Sequence, residues 1–417
     1  MQWSIAQVQR LFGEYIFIVR IMMFLISILS IIGLFHLILA LLKDRLIAAL
    51  TACSFTFAPI FYYYSINPMS DIWAMCAQIW MMVFLIKYID SGQFKFFIRS
   101  CLLLMLAGLC KLPFFICGIM LLTASVQGYL YYGRSIPTLF KKIFFLIIIS
   151  APVTAWYILA FMDWEYQGVF RGVSVGFNIV DFWTYFKFAL FHWVPMHLVN
   201  VFALLFLLIG LKSILIRNTL TNSIRWVLLS GLIITLIYYF YEINMINKIH
   251  DYYMLPFLIW LHIGIALGLH SINLSRYRLG ILFLFLAMPV YAYLKTTPYW
   301  NQEHNPYNAD WFKYSGTLQS IVPADSLCIM LNDNSGVVVA YAIDKQGYVF
   351  DRDDLPPAWI EDMILHRNTY YMYSDSRVVD TSGEVRPFLD SLLMERGSIR
   401  VFKLISSKKV LDRKVNK

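Results

Sequence analysis

Ten long apolar stretches, joined mostly by short loops, occupy the first 295 residues of this chain. A helix needs about 20 mostly apolar residues to cross the hydrocarbon core of a bilayer. The stretches are at 15–39, 46–64, 73–89, 97–110, 113–132, 143–162, 194–215, 225–241, 252–270 and 279–295. The composition, 60% hydrophobic and 14% charged, also departs from the roughly 45–50% and 25% of soluble domains. The sequence predicts an α-helical polytopic membrane protein with ten transmembrane helices.

The charge of the loops alternates from one side of the predicted membrane to the other. One set contains thirteen Lys/Arg residues and two acidic residues: loops 40–45, 87–99, 133–142, 212–225 and 270–278. The other set contains four basic and six acidic residues: loops 62–72, 110–113, 163–193 and 241–251. Because Lys and Arg concentrate in cytoplasmic loops, we expect the second set to face the exterior. This signal explains much of the net charge of +9, and we predict no nucleic-acid partner.

The apolar pattern stops near residue 295, which predicts two domains, a membrane domain over 1–295 and a small α/β domain over 296–417. Strands are predicted at 326–331, 337–343, 368–374 and 399–405, and helices at 310–321, 356–366 and 387–396. Ten spans that start outside return the chain to the exterior, so we expect the second domain to be exterior or periplasmic. The six cysteines show no disulfide or metal-type spacing.

Two charged residues interrupt apolar sequence on the predicted exterior side. Asp71 follows the turn Asn67-Pro68 near the start of a span, where an aspartate also serves as an N-cap. Lys111 is followed by Pro113, which indicates a tight helical hairpin; a lysine there also snorkels to the interface. Ionisable groups at membrane depth are costly and therefore usually functional. Beside its N-cap role, we predict Asp71 as a carboxylate of an exterior cavity that binds a metal, a sugar hydroxyl or a cation. We predict Lys111 as a cation that holds the phosphate of a lipid-linked donor.

The segment His250-Asp251-Tyr252-Tyr253 opens the ninth apolar stretch. Tyrosines alone are typical of the interfacial belt. A histidine beside an aspartate is less usual there, because an imidazole can donate, accept or ligate a metal. We predict that these four residues bind substrate, together with Arg171 of the exterior loop 163–193.

Several of these segments occur in a characteristic order: LFGEYIFIVRIMMFL, KDRLIAALTACSFTFAPIFYYYSINPMSDIWAMCAQIWMMVFL, GLCKLPFFICGIMLL and NKIHDYYMLPF. Together they resemble the membrane glycosyltransferases of the GT-C fold, specifically the dolichyl-phosphate-mannose protein mannosyltransferase-like group that includes the bacterial lipid A aminoarabinose transferase. The resemblance covers most of 1–295, and VVVAYAIDKQGYVF is similar to the exterior domain of bacterial members. Order and spacing carry the resemblance, since no single motif is highly specific.

The resemblance implies an inverting transferase in the bacterial inner membrane. It would take a sugar from a polyprenyl-phosphate donor on the exterior face and pass it to a lipid, glycan or protein acceptor. By position, Asp71 would be the second acidic residue of the active cavity, Lys111 a donor-phosphate or cavity-lining residue, and His250 with Tyr253 part of a later cavity motif. The requirement for a divalent metal stays open, and no other cofactor is implied.

One departure from the family's pattern concerns the general base. In this family the base is an acidic residue in the first exterior loop, between the first span and an interfacial helix. Residues 1–14 are typical of that amphipathic helix, so the chain begins after the usual base. We therefore expect a truncated product, a mis-assigned start or an inactive member, with Asp71 or Glu14 as poor substitutes.

Two further functions are compatible with the sequence. A lipid or solute transporter, such as a flippase, is expected to show related halves or paired broken spans near the midplane, whereas the charged residues here crowd one face. That asymmetry favours an enzyme. A non-catalytic envelope assembly protein is favoured by the absent base and opposed by the presence of Asp71, Lys111 and the His-Asp-Tyr-Tyr segment.

Overall fold

The computed structural model describes residues 2–13, 15–130, 135–163, 179–216, 220–243, 246, 251–300, 308–331, 338–350 and 355–415. The chain forms two compact units, Met1–Thr296 and Thr297–Lys417.

The first unit is helical, because long apolar segments satisfy their backbone groups internally only as helices when no water is present. Its α-helices are Gln2–Phe12, Ile16–Leu42, Arg45–Thr56, Pro59–Tyr64, Ser70–Ser91, Phe94–Cys110, Leu112–Phe115, Ile119–Leu130, Ile136–Asp163, Ile179–Phe188, Leu204–Ile216, Asn222–Tyr241, Leu255–Ser271 and Arg278–Trp300. Short 3-10 helices are Ile116–Gly118, Val201–Ala203 and Asp251–Met254, and Ala189–Leu198 is a π-helix.

The predicted membrane class is confirmed, but within the described residues fewer helices than the ten predicted are long enough to span. In the described residues, seven helices qualify by length and composition, or eight if Asp181–Leu198 and Val201–Ser213, bent by 106°, form one span. The predicted span 46–64 is divided by a break before Pro59 into helices Arg45–Thr56 and Pro59–Tyr64. The predicted span 97–110 lies in a helix of only 17 residues, Phe94–Cys110.

Two central helices organise the unit. In the most apolar part of Ser70–Ser91, 72% of the residues are buried, and in that of Asp251–Ser271, 78% are buried. Both shares are larger than those of the other candidate spans. The first packs against helices Ile16–Leu42 and Phe94–Cys110, and the second against Leu204–Ile216 and Arg45–Thr56. Residues at the start of each central helix therefore have fixed positions.

A close helix crossing depends on glycines that the sequence analysis did not single out. Gly264 and Gly268 are four residues apart on one face of helix Leu255–Ser271, and Gly210 lies opposite. A Cβ atom on Gly268 would lie 1.8 Å from the Phe206 carbonyl oxygen, and one on Gly210 would lie 1.9 Å from the Gly264 carbonyl oxygen. Small residues at this spacing let helix backbones approach in membrane proteins.

The second unit is a five-stranded sheet with helices on both faces. Its strands are β1 (Leu327–Leu331), β2 (Gln346–Phe350), β3 (Thr369–Ser374), β4 (Leu389–Arg396) and β5 (Ile399–Leu404), in the order β2-β1-β3-β5-β4. β1 pairs parallel with β2 and β3, whereas β5 pairs antiparallel with β3 and β4. Its helices are Asp310–Lys313, Ser315–Ser320, Val338–Ala342, Pro357–His366, Arg377–Asp380 and Ser407–Val415, with a 3-10 turn at Arg386–Phe388.

The side chains of β1 alternate between two hydrophobic clusters, one on each face of the sheet. This is expected for a strand that is covered on both faces. Ile329 packs on the side of Ile360 and Val410, and Met330 on the side of Trp311 and Val339.

Two predicted elements of this unit are wrong. The valine-rich segment 337–343 contains the helix Val338–Ala342, and the neighbouring strand is instead Gln346–Phe350. The predicted helix 387–396 is strand β4, joined to β5 through Gly397, whose φ is +57°. A two-residue loop that begins with glycine is typical of a β-hairpin, and that signal was missed.

Candidate functional site

Polar side chains from separate helices converge at one end of the membrane unit. We call this the site end and define it by Tyr64, Asp71, Lys111 and Asp251. The opposite end, the basic end, contains the ion pair of Lys43 and Asp90, 3.3 Å apart, and the predicted cytoplasmic loops. Apolar side chains bury the helices between the two ends.

Asp71 and Lys111, 40 positions apart in sequence, form an ion pair at the site end. Lys111 Nζ lies 3.5 Å from Asp71 Oδ2, and the two side chains are 25% and 3% exposed. In the described part of the chain, Asp71 Oδ1 is buried without a hydrogen-bond partner. A buried polar atom is normally satisfied, so leaving this oxygen unpaired carries a cost that a new hydrogen bond would remove.

The local backbone explains why Lys111 points into the site. Lys111 ends helix Phe94–Cys110 and precedes helix Leu112–Phe115, with extended dihedral angles of φ −160° and ψ 120°. Pro113 fits the first turn of the second helix, where no backbone N–H is required. Asp71 lies in the first turn of Ser70–Ser91. That position favours a carboxylate because the free N–H groups there carry partial positive charge.

Two tyrosines of the ninth predicted span restrict the lysine further. Lys111 Nζ lies 5.3 Å from the ring centroid of Tyr252 and 5.0 Å from that of Tyr253. Contacts of this kind attract an ammonium ion through the negative face of the ring. The ammonium is therefore held by one carboxylate and two aromatic rings while remaining partly open.

Asp251 also lies at the site end, where it contacts Tyr64. The sequence analysis did not predict this contact. The Tyr64 hydroxyl donates a hydrogen bond to Asp251 Oδ1 over 2.5 Å, and the Tyr64 and Tyr252 rings meet edge to face at 6.0 Å. Residues 64 and 251 are 187 positions apart. The run Tyr62-Tyr63-Tyr64 just before Asp71 is the only local signal that could have indicated this role.

Glu242 is a third carboxyl group near the site end, and the sequence analysis did not propose it as a site residue. It ends helix Asn222–Tyr241, and both Glu242 and Asp71 act electrostatically on Tyr238. Burial raises the pKa of the Glu242 carboxyl above its ordinary value. A half-buried carboxyl of this kind is suited to accept a proton.

Some predicted site residues lie outside the described residues: Arg171, His250 and the alternative base Glu14. Their substrate contacts stay predictions. Among the residues that the structure describes, no three His, Cys, Asp or Glu side chains come together as a metal site.

Comparison with known proteins assigns a fold to this arrangement. Residues 1–156 match the family model of dolichyl-phosphate-mannose-protein mannosyltransferases. The structure is similar to the crystal structure of ArnT from Cupriavidus metallidurans bound to undecaprenyl phosphate, with a TM-score of 0.63 and 12% identity. The similarity covers 97% of this chain and 87% of ArnT.

A second similarity is to the arabinofuranosyltransferase AftD from Mycobacteria, with a TM-score of 0.50 and 14% identity. It covers 92% of this chain but only 33% of AftD. No curated protein matches the sequence. At these identities the structural similarity shows the fold, and together with the family match it confirms the predicted GT-C resemblance.

Proposed function

This chain has the fold of the GT-C membrane glycosyltransferases, and we propose that it transfers a sugar from a polyprenyl-phosphate donor to a lipid, glycan or protein acceptor at the site end. The observation that carries the proposal is the Lys111–Asp71 pair. It combines a partly exposed ammonium with a buried carboxyl, one oxygen of which has no hydrogen-bond partner among the described residues.

Lys111 would serve the leaving group. In an inverting transfer the acceptor oxygen attacks the anomeric carbon as the bond from that carbon to the phosphate oxygen breaks. The electron pair stays on the phosphate, and a fixed ammonium stabilises the charge that develops there. The two tyrosine rings hold Lys111 before substrate arrives, so little ordering is needed during reaction.

A carboxylate would serve the acceptor. The attacking hydroxyl must lose its proton, and general-base catalysis by a positioned carboxylate typically contributes about 10²- to 10⁴-fold. We assign this role to Asp71, whose buried Oδ1 has no hydrogen-bond partner among the described residues. Glu242, with its raised pKa, is a further carboxyl group at the same end, in addition to Asp71 and Asp251.

We further propose that the site end faces the exterior of a bacterial inner membrane. The support is the charge of the loops, because the thirteen Lys/Arg residues counted above belong to the opposite set. A donor on a long lipid carrier would approach from the bilayer. ArnT, which shares the fold, is known bound to undecaprenyl phosphate.

Undecaprenyl phosphate binding to the full chain tests the role of Lys111 without knowledge of the sugar. We expect Lys111→Ala to weaken binding by about 10- to 100-fold, since a charge-assisted hydrogen bond contributes about 1.5–3 kcal/mol. The matched control is Lys95→Ala, which removes an exposed lysine at the basic end. Unchanged affinity in Lys111→Ala would refute the proposed role.

Lys111→Ala leaves Asp71 buried without its cation, which can destabilise the fold. The double variant Asp71→Asn/Lys111→Met removes both charges and avoids this cost. It should fold like the parent in a thermal unfolding assay and still bind undecaprenyl phosphate weakly. Parent-like binding in the folded double variant would also contradict the proposal.

A further inference from the structure

A groove opens at the basic end, away from the Asp71–Lys111 pair. Its volume is about 1000 Å³, the upper end of the range for small-molecule sites. Helices Leu204–Ile216 and Arg278–Trp300 form its walls, with apolar side chains such as Leu205, Ile209 and Leu284. We call it the Arg276 groove, after the arginine of the loop that closes it.

The loop that closes the groove is basic and locally ordered. Asn273 Oδ1 accepts a hydrogen bond from the Arg276 backbone N–H at 3.2 Å, and the Arg276 guanidinium lies 5.6 Å from the Tyr277 ring centroid. Arg276 and Arg278 are exposed, and both line the groove. Contacts within the loop thus place the two guanidinium groups at the mouth of the groove.

These arginines differ from Lys43, a basic residue at the same end. Lys43 is paired with Asp90 at 3.3 Å. In the described ranges, neither Arg276 nor Arg278 forms an ion pair with a carboxylate. Arginine presents a planar fork of donors that matches phosphate oxygens. Two such groups above an apolar channel are complementary to a ligand with an anionic phosphate and a hydrocarbon chain.

We propose that the Arg276 groove binds one anionic phospholipid from the leaflet at the basic end. Its phosphate lies at Arg276 and Arg278, and one acyl chain lies along the apolar walls. Basic pockets between transmembrane helices select acidic lipids in this way. This site is separate from the proposed sugar-transfer site, and its occupancy does not depend on catalysis.

Native mass spectrometry of the full chain in detergent tests the proposal. Phosphatidylglycerol and phosphatidylcholine with identical acyl chains are added in equal amounts, and the bound fraction of each is measured. We expect a preference for phosphatidylglycerol of about 30-fold, from about fivefold for each arginine near an anionic group. R276Q/R278Q should reduce that preference to near unity.

The matched control is K95Q/R99Q, which removes the same charge from exposed residues at the same end but outside the groove. It should keep the preference of the parent. Equal losses in the two double variants, or no preference in the parent, would overturn the proposal. Release of the lipid by millimolar inorganic phosphate would also overturn it. Free phosphate displaces the lipid completely only if the acyl chain in the groove contributes nothing to binding.

Gly280→Leu tests the acyl-chain part separately. A Cβ atom on Gly280 meets nothing within 4 Å, and this residue lines the groove. The new side chain should therefore fill space without moving the backbone. We expect it to lower binding of both phospholipids while the preference for phosphatidylglycerol remains. Parent-like binding of both lipids would show that no chain occupies the groove.

Discussion

The two ends of the membrane unit differ in how completely their polar groups are satisfied. At the basic end, Asp44 accepts a hydrogen bond from the Leu46 N–H at 2.8 Å, and Lys43 pairs with Asp90 at 3.3 Å. At the site end, Asp71 is 2% exposed, and its Oδ1 has no partner among the described residues. Asp44 and Lys43 are therefore paired at one end, whereas a buried acceptor at the other end has no partner among the described residues.

Helix continuity differs in the same way. The basic end turns through Lys43 and Gly92, whose φ angles are +57° and +69° and which directly end long helices. The site end contains short pieces, Pro59–Tyr64, Leu112–Phe115 and Asp251–Met254. Short pieces let side chains from several helices meet at one place. Long helices therefore end in single turns at the basic end, whereas broken helices at the site end bring Asp71 and Lys111 within 3.5 Å of each other.

The largest expected effect comes from Asp71→Asn at the site end. Transfer should fall by at least about 100-fold, the lower range for loss of a catalytic carboxylate. Undecaprenyl phosphate should bind at least as tightly as in the parent, since a negative charge near the phosphate is removed. Donor turnover and undecaprenyl phosphate affinity, measured on the same preparation, check both statements. A parallel loss of affinity would show that Asp71 acts only by holding Lys111.

Gly268→Ala should give the largest loss of stability. Its Cβ atom would overlap the Phe206 carbonyl oxygen, so the two helices must separate. We expect a loss of about 3 kcal/mol in the free energy of unfolding, at the upper range for overpacking. Denaturant unfolding in detergent measures it. Gly280→Ala is the matched control, because that Cβ atom meets nothing within 4 Å; equal stability of both variants would contradict the close crossing.

Glu242→Gln should have a smaller effect on transfer, about tenfold, if the carboxyl shares in accepting the proton. An ordinary glutamate has a pKa of about 4.3. Because burial raises the pKa of Glu242, this carboxyl keeps its proton to a higher pH. Activity that requires the carboxylate therefore increases as pH rises through that higher pKa. The pH profile of kcat/KM should lose this acidic limb in Glu242→Gln and keep it in Asp90→Asn; an unchanged limb would exclude Glu242.

The smallest effect is expected from Asp44→Ala at the basic end. It removes the side chain that caps helix Arg45–Thr56, which should cost about 1 kcal/mol. Denaturant unfolding gives the loss, and undecaprenyl phosphate binding should be unchanged. A loss of binding would show that the two ends are coupled rather than divided.

The sequence predicted the site only in part. Charge within apolar sequence predicts Asp71 and Lys111, and the His250-Asp251 pair predicts Tyr252 and Tyr253 beside it. The structure brings Asp71, Lys111 and the two tyrosines together. The hydrogen bond from Tyr64 to Asp251 joins residues 187 positions apart. Glu242 looked like an ordinary loop acid, since its burial depends on neighbouring helices. Local patterns do not contain such contacts.

The sequence by itself determined that the first unit is helical and crosses a membrane, because hydropathy and loop charge are properties of each segment alone. Only the tertiary structure decided which strands form the sheet and which glycines allow helices to cross closely. Segment 337–343 has a strand-like composition yet is mostly helical, and β4 becomes a strand by pairing with β5. Strand pairing and helix crossing depend on partners distant in sequence, whose contacts outweigh local propensity.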